Sequence, residues 1–431
     1  MHSNYQLLKM LRTKYRALYL IAMLCVAYIS FSCNRPDKDT NTTITFWHFW
    51  SEPRQKQALI ELIAQFEKLH PTIHVELTDL QWSDGKTKLM LGFNARTAPD
   101  VVHLGFEWMP EFIASGALSP LSDSLALDTS RYFYPALQSL ISQAHIYALP
   151  WTMNTRAMVI SRKMIPNIKA LLESHEKLLF RKNSWEMLRW MKTRSGTAGF
   201  WGINSAEPHN VLKKALPVIW SAGSNLFTKN PLGSTFDSAA VAGLEFYLEM
   251  CDGGMQEQSR TLDDKLLQGK IGAWITGQWL LDKAHEIHED TAFVVVDQIP
   301  TSQLWQIGYS ILGGDCIAST SQSTHSREAE LLIQFLTSYP QSSSFCQTVS
   351  DAGFPADKEV FSPQNTAKYN DHQLSFLEQI RNARPLPASP HFLDAERILE
   401  EEIMNAVYRK KSAREALEAA RRRIVEVENT Q

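Results

Sequence analysis

The pattern across residues 43–77 constrains the fold more than any other part of the chain. Thr43-Ile44-Thr45-Phe46-Trp47 is rich in β-branched and aromatic residues and reads as a strand. Pro53 stands near a helix start, and Leu59, Leu62, Ile63, Phe66 and Leu69 recur at three- and four-residue spacing as one apolar helix face. His70-Pro71 ends that helix, because the residue before proline is pushed out of the αR region. Ile73, Val75 and Leu77 then alternate with polar residues, a second strand. Strand, helix and strand at this spacing close as a βαβ unit, with parallel pairing and a right-handed crossover.

The rest of the chain continues this alternation. A helix is expected over 86–95, a strand over 99–104, and a short helix over 108–115 that stops at Gly116. Short strands follow over 145–150 and 156–161. Asn183 or Ser184 caps a helix through Lys192, with Glu186 placed for a capping box with Asn183. Asp237 caps another helix, with Ala240, Leu244 and Leu248 facing inward. Residues 271–276 form a strand that ends at Gly277, a helix starts at Trp279, and 293–296 is a buried-strand run. The C-terminal part is helical. Its last helix opens with the capping box Ser412-Ala413-Arg414-Glu415 and carries an apolar stripe of Ala413, Leu417, Ala420, Ile424 and Val427. The fold class expected is α/β with mainly parallel sheets.

At 431 residues the chain is long enough for two domains. A formal charge of -3 argues against a broad nucleic-acid surface, which needs clustered Lys and Arg. Five cysteines occur, and Cys251, Cys316 and Cys346 follow neither a disulfide framework nor a zinc spacing, although one pair among them remains open. His285 and His288 share a helix face, but with no third ligand the reading is a solvated helix end; no metal and no cofactor is expected.

The N-terminus differs from the rest. Lys9, Arg12, Lys14 and Arg16 precede an almost unbroken apolar run from Ala17 to Ile29. That run is shorter than the roughly 20 residues of a membrane span, and it fits the core of a signal peptide; an uncleaved anchor is the alternative. Ser32-Cys33 closes the segment and resembles a bacterial lipoprotein cleavage site, with Ser30 and Phe31 where that pattern prefers Leu and a small residue. Residues 1–33 are thus expected as a lipoprotein signal ending at a lipidated Cys33, and 34–42 as a linker. Acyl chains on Cys33 would anchor the protein to a membrane without spanning it.

Several blocks of the expected mature chain, taken in order, carry a resemblance to a known family. They are Thr45-Phe46-Trp47-His48-Phe49-Trp50, then Phe66-Glu67-Lys68-Leu69-His70-Pro71 with Ile73 and Val75. Ala98-Pro99-Asp100-Val101-Val102 and Gly116-Ala117-Leu118-Ser119-Pro120-Leu121 follow. Tyr147-Ala148-Leu149-Pro150-Trp151, Ser184-Trp185-Glu186-Met187-Leu188 and the run from Gly269 to Trp279 continue the order, with Trp274 in place of a usual Met. Gly313-Gly314, then Ala329-Glu330 with Phe335-Leu336, complete it. Together these blocks, spanning nearly all of 43–427, resemble the extracellular solute-binding proteins of carbohydrate ABC transporters, the group that includes maltose-binding proteins. The resemblance implies two α/β lobes of the periplasmic-binding-protein type, with the ligand in the cleft between them. Its block order implies one lobe of 43–148 and 293–338 and another of 149–292 and 339–431. It also implies an extracytoplasmic, lipid-anchored protein that captures a sugar or oligosaccharide by cleft closure and delivers it to permease subunits.

Twelve Trp residues suit sugar recognition, because a flat apolar ring matches a pyranose face while polar groups read hydroxyls. Trp47, inside its strand, reads as core. Trp50 lies past the strand's carboxyl end, where open α/β sheets bind ligands, and is expected in the cleft. Trp279 follows the Gly277 turn and matches a ligand-stacking position of the family. Trp108, Trp151 and Trp220 stand open between core and cleft, and Trp82 between cleft and rim. Polar candidates are His48, Glu52, Glu107, Asn154, Arg156 and Asp315, with Arg384 in Arg384-Pro385-Leu386-Pro387 near the cleft by resemblance. Two further readings stay open. A glycoside-active enzyme needs two carboxylates about 5–10 Å apart, for which Asp100, Glu107 and Asp315 are the material. A binding protein for a phosphate ester would want Arg side chains or helix N-termini, and one for a polyamine would want acids between aromatics.

Overall fold

A computed structural model describes residues 41–430, apart from 124–128, 165–183, 197–198, 206, 287–293, 298 and 303–307. The signal segment with Cys33, most of the linker, Asn183, His288 and Phe293 therefore lie outside the described residues.

Ten strands form the two sheets that matter here: β1 Thr42–His48, β2 Ile73–Asp79, β3 Val101–Gly105, β4 Ala148–Asn154, β5 Ala157–Ser161, β6 Ala273–Thr276, β7 Val294–Asp297, β8 Ser310–Ser319, β9 Phe354–Pro355 and β10 Ala383–Pro385. The larger sheet runs β9-β4-β8-β3-β1-β2, with β10 also on β8; the smaller runs β6-β5-β7. β1 pairs in parallel with β2 along its whole length, from Thr42 opposite Ile73 to His48 opposite Asp79, and in parallel with β3. The helix α1, Pro53–Leu69, connects them, burying Leu59, Leu62, Ile63 and Phe66 while Leu69 stays exposed.

The larger sheet is mixed and the smaller is antiparallel, rather than both being mainly parallel. β8 runs antiparallel to both β3 and β4, and β5 is antiparallel to β6 and β7. Alternation of strands and helices signals a layered α/β arrangement, but it does not fix the direction of a strand that returns from another lobe.

Strand pairing also moves the expected crossings. Residues 149–154 stay in the larger sheet, since β4 pairs with β8 and β9, so the chain crosses at Thr155-Arg156 and not at Pro150. β7 pairs with β5 in the smaller sheet, which puts the return after it, at the start of β8. The helix Tyr339–Thr348 packs on α1 and β9, whereas the helix Asp371–Arg381 packs on β7 and β5, so the last crossing comes between them rather than at Pro340, with β10 following beside β8. The first crossing, β8 and β10 lie side by side: Thr155 donates to the Ile311 carbonyl at 2.8 Å, and Ser310 pairs with Ala383.

The lobe built on the smaller sheet has its own core, in which Trp185 stacks on Phe246 at 4.0 Å and the C-terminal helices Phe392–Val407 and Ala413–Glu428 pack together. The capping box at Ser412 is present, and Asp237 accepts the Ala240 N–H at 2.7 Å. Cys251, Cys316 and Cys346 are free and buried in three different elements; burial pushes the Cys251 thiol up to about 12 and raises the other two.

Candidate ligand-binding site

The lobes meet at a belt of charged and aromatic side chains. Glu107 follows β3 in the first lobe. Lys213 and Lys214 stand on the helix Leu212–Ser221 of the second lobe, and Asp263 on the helix Ser259–Leu267. Lys213 Nζ reaches Glu107 Oε1 at 3.1 Å, an ion pair that spans the lobes. Burial is the largest single influence and opposes charge on both partners, but it is outweighed by the partner's charge and hydrogen bond together with Arg156 beside Glu107 and Glu396 beside Lys213: Glu107 is held below the usual carboxylate range and Lys213 above the usual ammonium range.

Asp263 organises the far side. Its Oδ1 accepts from Trp274 Nε1 at 3.0 Å and Thr276 Oγ1 at 2.8 Å, and its Oδ2 accepts from Trp279 Nε1 at 2.9 Å. Burial raises its pKa and also lowers that of Lys214, whose ammonium lies 4.6 Å from the centre of the Trp274 ring. Arg156, at the first crossing, lies over the Trp279 ring at 4.4 Å, and burial brings its pKa down to about 10 against the pull of Glu107 and Asp263. Two glycines make room for this packing. A Cβ on Gly277 would fall 1.9 Å from the Trp279 ring, and one on Gly313 would fall 2.6 Å from Asn154 Oδ1, the acceptor for Arg156 Nη1.

Beside the belt runs a groove of about 1100 Å³ with walls from both lobes, Lys86 and Glu111 on one side and His209, His391, Arg397 and Glu400 on the other. His209 holds a left-handed backbone at φ 61, donates its N–H to Glu400 and places Nδ1 2.6 Å from Glu396. The contact with Glu396 raises the His209 pKa; burial, and then the charge of Glu396, lift Glu400 to about 7.

The sequence candidates divide between this region and the interior. Glu107 and Trp279 join the belt. Trp82 lies just ahead of the helix that carries Lys86; it is 45% exposed and stacks on Phe49 at 4.4 Å. Trp108 packs against both in the core of the first lobe. Trp50, expected in the cleft, is only 5% exposed, stacked on His103 and edge-on to Trp151 and Phe345. Trp151 is fully buried, and so is Trp220, whose Nε1 donates to the Leu226 carbonyl. His48 is buried with Nε2 3.3 Å from Asp79, and burial, helped by His103, brings its pKa to about 4.

Asp315 is likewise inside, accepting from Thr152 at 3.0 Å beside His103 Nε2 at 3.1 Å. Glu52 is exposed and caps α1. Arg384 lies 3.5 Å from the centre of the Tyr309 ring and donates to the Ser224 carbonyl, bracing β10. Asp100 is tied to Thr45 and Ser323 before β3, whereas Glu107 follows that strand, so the two carboxylates sit at opposite ends of it. Lys213, Lys214, Asp263 and Gln278 escaped the sequence reading. The available signal was the Lys-Lys pair inside a helix whose other residues are largely apolar.

Two α/β lobes, three crossing segments and a polar-aromatic belt at their junction define a cleft-type binding protein. The family model for bacterial extracellular solute-binding proteins matches residues 50–342, and the chain belongs to that family. A putative binding protein of Brucella abortus is 21% identical over 342 residues, covering 77% of this chain and 80% of that one. The maltotriose-binding protein of Pyrococcus abyssi is 26% identical over 123 residues, 28% of this chain and 26% of its own. Among solved structures, the GacH receptor of Streptomyces glaucescens, known with acarbose, superposes with a TM-score of 0.72 at 18% identity, over 90% of this chain and 99% of that one. The cyclic α-maltosyl-1,6-maltose binding protein of Arthrobacter globiformis gives 0.74 at 15% identity, over 89% and 98%. As a member of a bacterial extracellular family, the protein is extracytoplasmic.

Proposed function

We propose that the chain is the substrate-binding lipoprotein of an ABC importer. It captures a sugar or oligosaccharide between its lobes and passes it to membrane permease subunits, tethered through acyl chains on Cys33. The observation that carries the reading is the belt itself. Glu107 comes from one lobe, Lys213 and Trp279 from the other, and Arg156 from the crossing between them. A ligand seated there touches both lobes and so favours their closure. The indole face suits a pyranose ring, and the surrounding charged and amide groups suit its hydroxyls. Sugar binding by the Streptomyces and Arthrobacter proteins supports the same class of ligand. Binding without cleavage is supported by membership of a solute-binding family and by the place of Asp100 and Glu107 at opposite ends of β3. The test is a thermal-shift screen against neutral and acidic sugars, sugar phosphates and polyamines, because a ligand of the native state raises the melting temperature. A saccharide should give the largest rise. A response confined to polyamines or phosphate esters would overturn the reading.

A further inference from the structure

The belt holds three cationic side chains, Arg156, Lys213 and Lys214, and two carboxylates, Glu107 and Asp263, with Glu396 and Glu207 near enough to act on Lys213 and Lys214. Lys213 is matched by Glu107 at 3.1 Å. Lys214 and Asp263 together carry no net charge, whether both are ionised or both neutral. Arg156 feels the charges of Glu107 and Asp263 but hydrogen-bonds neither. Its Nη1 donates only to neutral acceptors, Asn154 Oδ1 at 3.2 Å and the Thr155 carbonyl at 3.4 Å. Its Nε is sealed from solvent and, like Nη2, has no hydrogen-bond partner among the described residues. Nearby, Gln278 is 4% exposed and its Oε1 also lacks a partner.

A guanidinium that hydrogen-bonds only neutral acceptors and keeps a sealed Nε without a partner is left unsatisfied, and its planar fork matches a carboxylate better than any hydroxyl. We infer that the ligand is an acidic saccharide, one bearing a uronic acid whose carboxylate is held by Arg156 while a sugar ring lies against the Trp279 side of the cleft. One guanidinium fork suits one carboxylate, whereas a phosphate would bring nearly two negative charges close to Glu107 and Asp263. The ligand meets Arg156 when the lobes part and is enclosed as they close.

The inference rests on the sugar reading above, and the experiment separates the two. Isothermal titration of the purified full chain compares glucuronic with glucose, galacturonic with galactose, uronate-ended with neutral disaccharides, and inorganic phosphate alone. The uronate member of at least one pair should bind about 10-fold or more tightly than its neutral partner, and only its affinity should fall with added salt. Arg156→Gln should lower the ratio of acidic to neutral affinity by about 30-fold, as expected for truncating one partner of a desolvated charge pair. Arg156→Lys, which keeps the charge and loses the fork, should fall between. If Arg156→Gln does not fold, the salt dependence of the unaltered protein decides. Neutral sugars binding as well as uronates, or free phosphate binding better than either, overturns the inference while a sugar or anion site survives. No saccharide of either kind binding overturns the sugar reading and this inference with it.

Discussion

At the carboxyl ends of β1 and β3 the first lobe stacks aromatic rings on one another, Trp50 on His103 and Phe49 on Trp82 and Trp108. Across the junction the second lobe presents charges, with Asp263 gripping Trp274 and Trp279 while Lys213 reaches over to Glu107. The difference is one of solvent history. A ring buried inside a lobe is dry whether the lobes are open or closed, whereas a charged group at the junction can be wet when they part and dry when they meet. The first wall should thus control stability, and the second should control ligand binding and closure.

The largest expected effect lies in the aromatic wall. Trp50→Ala and Trp151→Ala should each cost about 3–5 kcal/mol in denaturant unfolding, as truncation of an enclosed Trp does. A loss under 1 kcal/mol at Trp50 would mean that it faces the cleft after all.

The two lobes should next respond to acid in opposite directions. His48 falls from 6.5 to about 4 on folding, so the unfolded chain binds the extra proton between those values and stability drops as pH falls through that window. Glu400 rises from 4.5 to about 7, so the folded chain binds the extra proton and stability drops as pH rises through that window. Each contribution is at most roughly 3 kcal/mol. Glu400→Gln should expose the His48 effect as a loss of stability from pH 6.5 to 4.5, and His48→Gln should flatten that loss. Unfolding free energies of both variants against pH check the signs.

Trp279→Ala should weaken ligand binding by about 30-fold, near 2 kcal/mol, with a smaller fall in unliganded melting temperature than Trp151→Ala gives. Equal falls in melting temperature would erase the contrast between the walls. The smallest effect is expected from Glu107→Gln, which removes the charge that Lys213 reaches across the junction. The unliganded protein should shift toward an open form by about 1 kcal/mol, seen as a larger radius of gyration in small-angle scattering.

The sequence carried most of the lobe architecture, because periodicity reports on buried faces directly. Leu59, Leu62, Ile63 and Phe66 line the inner face of α1 as their spacing requires. Leu69 broke that rule by lying on the helix's last turn, beyond the reach of the sheet. The crossings were misplaced since Pro150 sits inside a strand flanked by two partners, and partner choice between lobes leaves no local mark. The belt was half legible. Trp279 and Arg156 follow a glycine turn and a strand end, but Lys214 and Asp263 meet only through tertiary folding. Trp50 failed for a related reason: a position past a strand's carboxyl end predicts location along the chain, and Trp151 and Phe345, which close over it, come from distant segments.

Cys251, Cys316 and Cys346 sit apart, each buried and each held in its thiol form. Burial keeps solution oxidants away from them, and as thiols rather than thiolates they are poor nucleophiles. The folded body therefore needs no oxidative catalyst to mature. It should reach the same conformation in a reducing cytosol as outside the membrane, and the reductant present during refolding should be a matter of indifference to its yield.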